Sequence, residues 1–86
     1  RNTLTELNKQ VEWVKAHFGE KEAEKMKKYP NELACKWGKY REKCSAESDS
    51  KEQERLGRTF KTEMRTIARE AEDKCNEYKR LAAPQQ

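Results

Sequence analysis

The stretch Ser50–Ala82 reads SKEQERLGRTFKTEMRTIAREAEDKCNEYKRLA, and its reading decides the fold. Leu56, Phe60, Met64, Ile67, Ala71, Cys75, Tyr78 and Ala82 recur every three or four residues, the period of one face of an α-helix. No proline interrupts the run before Pro84, and Gly57 is the one place where it would bend. A helix of ~30 residues is about 45 Å long at a rise of about 1.5 Å per residue. Asp49 with Glu52, and Ser50 with Gln53, offer capping pairs at its start. The spacing predicts a long C-terminal helix over 50–82, with residues 83–86 fraying beyond it.

The N-terminal segment carries a second stripe. Leu4, Leu7, Val11, Val14 and Phe18 follow the same spacing, which predicts a helix over 4–18. Thr3 and Glu6 have the spacing of a capping box, and Gly19 stands where a left-handed residue closes a helix. Between Glu20 and Tyr29 nearly every residue is charged, with Ala23 and Met26 as the apolar anchors. This segment predicts a short exposed helix over 20–29. Pro30 lacks an N–H and disfavours α geometry at Tyr29, so a break is expected there, with a new helix over 31–44. Its stripe is Leu33, Trp37, Tyr40 and Cys44, weakened by Gly38 by up to ~1 kcal/mol. Residues 45–50 form a small polar connector.

These elements imply an all-α fold and a single helical domain over 1–86. The expected arrangement is a small antiparallel three-helix bundle, the charged segment adding a fourth short helix. The long C-terminal helix is its spine, with 31–44 on the spine's first half and 4–18 on its second. Composition agrees with this. The chain has 86 residues, 42% of them charged and 33% hydrophobic, so its core is thin and leans on two Trp, three Tyr and two Phe. Three glycines and two prolines are too few for a turn-rich all-β fold. No apolar run approaches the ~20 residues of a membrane span. The chain opens on Arg1 rather than methionine, as a processed or secreted form would, and no signal peptide assigns a compartment.

The net charge is +4, from 20 Lys and Arg against 16 Asp and Glu. The whole excess lies in residues 1–45, where eleven basic residues face seven acidic ones. Such an imbalance permits an anionic partner without requiring one. Two basic rows stand out at helical spacing: Arg58, Lys61, Arg65 and Arg69 on the spine, and Lys36, Lys39 and Lys43 on the preceding helix. Like charges at helical neighbours repel unless acids or an anionic ligand offset them. A phosphate backbone would do so, with Thr62 and Thr66 as additional donors. The competing reading is a solvated face with Glu54, Glu63 and Glu70 nearby.

Reactive side chains are few. Cys35 and Cys44, nine residues apart on one helix, are separated by about 13 Å, beyond the ~7 Å reach of a disulfide. With the hairpin turning near Glu47, Cys35 lies opposite about Phe60 and Cys75 about 20 Å further along the spine, so no bridge forms. A Cys35–Cys75 or Cys44–Cys75 staple in a small secreted bundle is the alternative, and the odd count leaves one thiol over. His17 is the only histidine, and no Cys-x-x-Cys pair accompanies it, so neither a zinc site nor another metal site is indicated. No phosphate-binding glycine loop or nucleophile motif occurs. No cofactor is called for.

The sequence thus points to a non-enzymatic protein-interaction module, such as an inhibitor, adaptor, effector or assembly subunit, that binds a protein partner through a helix face. A homodimer through a free cysteine or an uncovered face is a variant of the same reading. Trp13, off the Val11–Val14 stripe, is the candidate anchor, although at the flank of that stripe it would equally widen the core. Trp37 and Tyr40, on their stripe, are expected in the core. The second function class is a nucleic-acid-binding accessory protein that uses Arg58, Lys61, Arg65 and Arg69.

Overall fold

A computed structural model describes residues 3–82, and the expected fraying of 83–86 falls outside them. The protein is all-α, with α1 (Thr3–Phe18), α2 (Glu20–Met26), α3 (Lys28–Ala46) and α4 (Ser50–Ala82) in chain order. Its extents are 57 × 23 × 17 Å, and its radius of gyration of 15.9 Å exceeds the about 12 Å of a compact chain this long. The 33-residue α4 sets that length.

Each junction departs from expectation for a local reason. Thr3 sits inside α1 rather than at its cap, and the position before it lies outside the described residues. Gly19 both closes α1 and opens α2: its N–H donates to the Lys15 carbonyl at 3.0 Å, and its own carbonyl accepts from Ala23 at 3.1 Å. It does so at φ 96°, ψ 174°, an extended positive-φ geometry rather than the left-handed helical one. That region is essentially open to glycine alone.

The break expected at Pro30 falls instead at Lys27. Pro30 occupies the third position of α3, inside the first turn, where its missing N–H leaves no vacancy in the ladder. What proline forbids is a continuous helix through the preceding turn, because it cannot donate to the Met26 carbonyl and its ring would crowd it. The chain therefore yields before Pro30 rather than after it. Lys27 stays near helical geometry, and its N–H is shared between the Ala23 and Glu24 carbonyls at 3.1 and 3.2 Å. Tyr29, expected to leave α geometry, remains helical, and it is buried together with Pro30.

The α3–α4 connector is three residues, 47–49. Asp49 caps α4, its Oδ1 accepting from the Lys51 N–H at 3.0 Å. Glu52 does not complete a box there; it pairs with Arg55 at 2.6 Å. Gln53 reaches across, its amide donating to the Cys44 carbonyl at 3.2 Å and the Glu47 carbonyl at 2.6 Å. The Cys44 carbonyl also accepts the Glu47 N–H at 3.3 Å, so Gln53 adds to the cap of α3 there and supplies a donor to the carbonyl of the capping residue Glu47. One side chain thus ties the two helix ends together. The turn also sets the register: Tyr40, not Cys35, stacks against Phe60, with centroids 4.9 Å apart.

Burial is confined to one end. Leu7, Val11 and Val14 of α1, Ala23 and Met26 of α2, Tyr29 and Leu33 of α3, and Ile67, Ala71, Cys75 and Tyr78 of α4 form one core. Between residues 34 and 66 no side chain is fully buried. That half of the molecule is a two-helix arm. It is held by Phe60 against Trp37 and Tyr40, by the 3.5 Å pair of Lys36 with Glu63, and by Gln53.

Candidate functional site

The arm exists because α1 is too short to cover α4. Its sixteen residues extend about 24 Å along a spine of about 50 Å. It packs over the second half of α4, where Phe18 meets Tyr78 at 5.0 Å. Beyond Thr3 the seam between α3 and α4 continues without a third helix over it. There it opens as a groove of 470 Å³ lined by Leu4, Leu33, Ala34, Trp37, Phe60 and Met64.

Trp37, expected in the core, is 48% exposed. Helical periodicity places it correctly on the α3 stripe, but the stripe has nothing opposite it on that flank. One edge of the indole meets Phe60 at 5.4 Å and Tyr40 at 5.7 Å, while the remainder faces solvent over the groove. Leu4, from the stripe of α1, is 43% exposed and lines the same groove. Two large apolar side chains at one concave surface are the exposed apolar feature that single scattered residues are not.

Trp13 takes the other role foreseen for it. It is half-buried, packs against the core beside Phe18, and stacks on His17 with ring centroids 4.1 Å apart. His17 Nδ1–H donates to the Trp13 carbonyl at 2.9 Å, one turn back along α1. Lys79 lies over the indole face at 5.7 Å, joining α4 to the end of α1.

Arg58, Lys61, Arg65 and Arg69 are all exposed along α4. Among the described residues none of them joins an ion pair. A shallow surface groove runs past Arg65 and Arg69, with Glu70 and Asp73 also on its walls. The Thr66 hydroxyl donates to the Thr62 carbonyl at 3.1 Å, so the helix itself takes up a donor expected to meet phosphate. The second row, Lys36, Lys39 and Lys43, lines the opposite flank of the arm, with Lys36 neutralised by Glu63.

The structure gives no support to the disulfide alternative: Cys35, Cys44 and Cys75 are free thiols. Cys35 is exposed and Cys44 half-buried, both on α3, whereas Cys75 lies in the core under α1 at the far end of α4. Burial raises the Cys75 thiol pKa, which disfavours the reactive thiolate. Tyr40 is also shifted upward, chiefly by its contact with Cys44. Among the described residues no group of three or more His, Cys, Asp or Glu side chains is placed to hold a metal ion. No helix among them is long and apolar enough to cross a membrane.

The class defined by these features is an all-α protein with a short core and an open, partly apolar two-helix arm. No protein-family model, no curated protein and no solved structure matches the chain.

Proposed function

We propose that the protein is a non-enzymatic interaction module, a small antiparallel bundle with α4 as spine, that binds a protein partner through the face of its α3–α4 arm. The observation that carries this is Trp37, 48% exposed beside Leu4 over a groove between three helices. A half-exposed indole at the centre of a concave apolar surface is the kind of side chain that supplies most of an interface's binding energy. The anchor therefore moves from Trp13, whose ring is engaged by His17, Phe18 and Lys79, to Trp37. Of the reactive side chains, His17 spends Nδ1 on a backbone carbonyl and Cys75 is buried, while Cys35 is exposed on the surface of α3.

The test is affinity capture with the full chain and its W37A and W13A variants. W37A loses the captured protein while the core, read by slow amide exchange at Ile67 to Tyr78, stays folded, and W13A lowers Tm. Retention of the same protein by W37A rejects the reading.

Nucleic-acid binding is a second reading, favoured by one observation: four exposed basic side chains in a row on α4, none in an ion pair among the described residues. Affinity for a short duplex or single strand at low salt, falling steeply with ionic strength, supports it; no affinity at ~20 mM salt ends it.

A further inference from the structure

The two flanks of the α3–α4 arm differ. One carries the apolar groove beside Trp37, and the other carries a groove of about 210 Å³ whose lining includes charged side chains. Its α3 wall is Lys36, Lys39 and Lys43, a row about 10 Å long. Thr59 and Glu63 stand on the α4 wall. Between the walls lie the half-buried Leu56 and the stacked rings of Tyr40 and Phe60. The Tyr40 ring reaches across the seam, its hydroxyl lying where a Cβ on Gly57 would meet it at 3.4 Å. Lys36 pairs with Glu63 at 3.5 Å and Tyr40 stacks on Phe60, so the antiparallel register sets Thr59 opposite the stretch between Lys39 and Lys43.

Charge in this groove is unevenly met. Glu63 neutralises Lys36 at the end nearer the core. Lys39 and Lys43 are exposed, one turn apart, and join no ion pair among the described residues. The carboxylates within a turn of them are engaged elsewhere: Glu47 accepts the Asp49 N–H at 3.1 Å, and Glu42 lies with Arg41 on another surface of α3. Glu52, two turns along α4 from Thr59, pairs with Arg55 at 2.6 Å. Like charges one turn apart repel unless something offsets them.

Three lysines against one glutamate leave the lining with two positive charges in excess. A phosphate monoester carries about −1.5 to −2 at pH 7, with three strongly accepting oxygens. A phosphodiester or a carboxylate carries a single charge. The volume falls below the ~300 Å³ at which drug-sized pockets begin, so the occupant is small. Leu56 and the two rings offer it an apolar side.

We propose that this groove binds a small aryl phosphate monoester. Lys39 and Lys43 donate to its phosphoryl oxygens from α3, and the Thr59 hydroxyl donates from α4. The ligand's ring lies against Leu56 and the edges of Tyr40 and Phe60. The site uses neither Trp37 nor the Arg58–Arg69 row, so it stands apart from both readings above.

The full chain is titrated with phenyl phosphate, inorganic phosphate and phenyl sulfate, which has the shape of phenyl phosphate with one charge. Calorimetry and the backbone amide shifts of 39–43 and 56–60 report binding. At low salt and pH ~7.5, phenyl phosphate binds about tenfold tighter than either other anion. Its advantage over phenyl sulfate shrinks below pH ~6, as the second phosphate proton returns. K39Q/K43Q weakens phenyl phosphate by about tenfold or more. R58Q/R65Q, an equal loss of charge on another face of α4, leaves it unchanged. Both variants keep slow amide exchange at Ile67 to Tyr78.

Equal affinity for phenyl phosphate and phenyl sulfate overturns the inference. So does equal weakening by the two double variants, which marks diffuse attraction of anions. Inorganic phosphate binding as tightly as phenyl phosphate removes the ring from the ligand and overturns it as well. A single-stranded oligonucleotide without terminal phosphate that displaces phenyl phosphate, and needs Lys39 and Lys43 to do so, assigns the groove to a phosphodiester backbone instead.

Discussion

The Tyr78 hydroxyl donates a 2.7 Å hydrogen bond to the Glu22 carboxylate, joining α4 to α2 across 56 positions of sequence. Burial of the phenol and the adjacent carboxylate push the Tyr78 pKa up to about 12, and the same hydrogen bond lowers that of Glu22. The bond fastens the short charged helix to the spine. It explains how a segment with few apolar anchors is held.

A titration follows from that pair. Below pH 10 Tyr78 is neutral in both folded and unfolded chains, so it adds no pH dependence. Between pH 10 and about 12 the unfolded chain releases the proton and the folded chain holds it, so stability falls as pH rises through this window. Glu22 acts at the other end: its lowered pKa contributes stability above the ordinary carboxylate range, and that contribution is lost as pH falls. Urea melts from pH 8 to 12 show the alkaline loss in the wild type, and Y78F removes the Tyr78 component. An unchanged alkaline profile in Y78F counts against the assignment.

Gly19 and Gly38 respond oppositely to alanine. A Cβ at Gly19 meets nothing within 4 Å, so the whole penalty of G19A is backbone strain at φ +96°, about 1–3 kcal/mol. Gly38 also faces open space but is helical with ordinary φ, so G38A stabilises by up to about 1 kcal/mol. Chemical denaturation of the two variants checks both signs.

The arm is the weak half of the molecule. Amides near Ile67, Ala71, Cys75 and Tyr78 exchange slowly in D2O, whereas those of 34–60 exchange by local opening, because nothing there is fully buried. Q53A removes the two hydrogen bonds that the Gln53 amide donates to the Cys44 and Glu47 carbonyls, at a local cost of about 1–2 kcal/mol, and speeds exchange in 40–53 while leaving 67–78 unchanged. Uniform exchange along α4 contradicts the division into core and arm.

The thiols divide the same way. Cys35 reacts with an alkylating reagent at once, Cys44 more slowly, and Cys75 on the timescale of unfolding. Intact mass without reductant reports three free thiols per monomeric chain before alkylation. A mass lower by two protons would instead reveal an intramolecular bridge.

Local rules act over a few residues, and these were legible in the chain itself. The stripes from Leu7 to Val14 and from Ile67 to Tyr78 follow from helical periodicity, the end of α1 from Gly19, and the interruption before α3 from Pro30. Even the separation of Cys35 from Cys44 needs only the rise of one helix. What periodicity cannot report is whether a helix face has a neighbour. Val14 and Trp37 occupy equivalent stripe positions, yet Val14 is fully buried and Trp37 is half in solvent. Their difference comes from the relative lengths of α1 and α4 and from the turn at 47–49, which decides the part of the spine that each helix covers. Burial needs surfaces brought together from distant parts of the chain, so only the tertiary structure decided that Trp37 rather than Trp13 is the exposed indole, and that the seam stays open beyond Leu4.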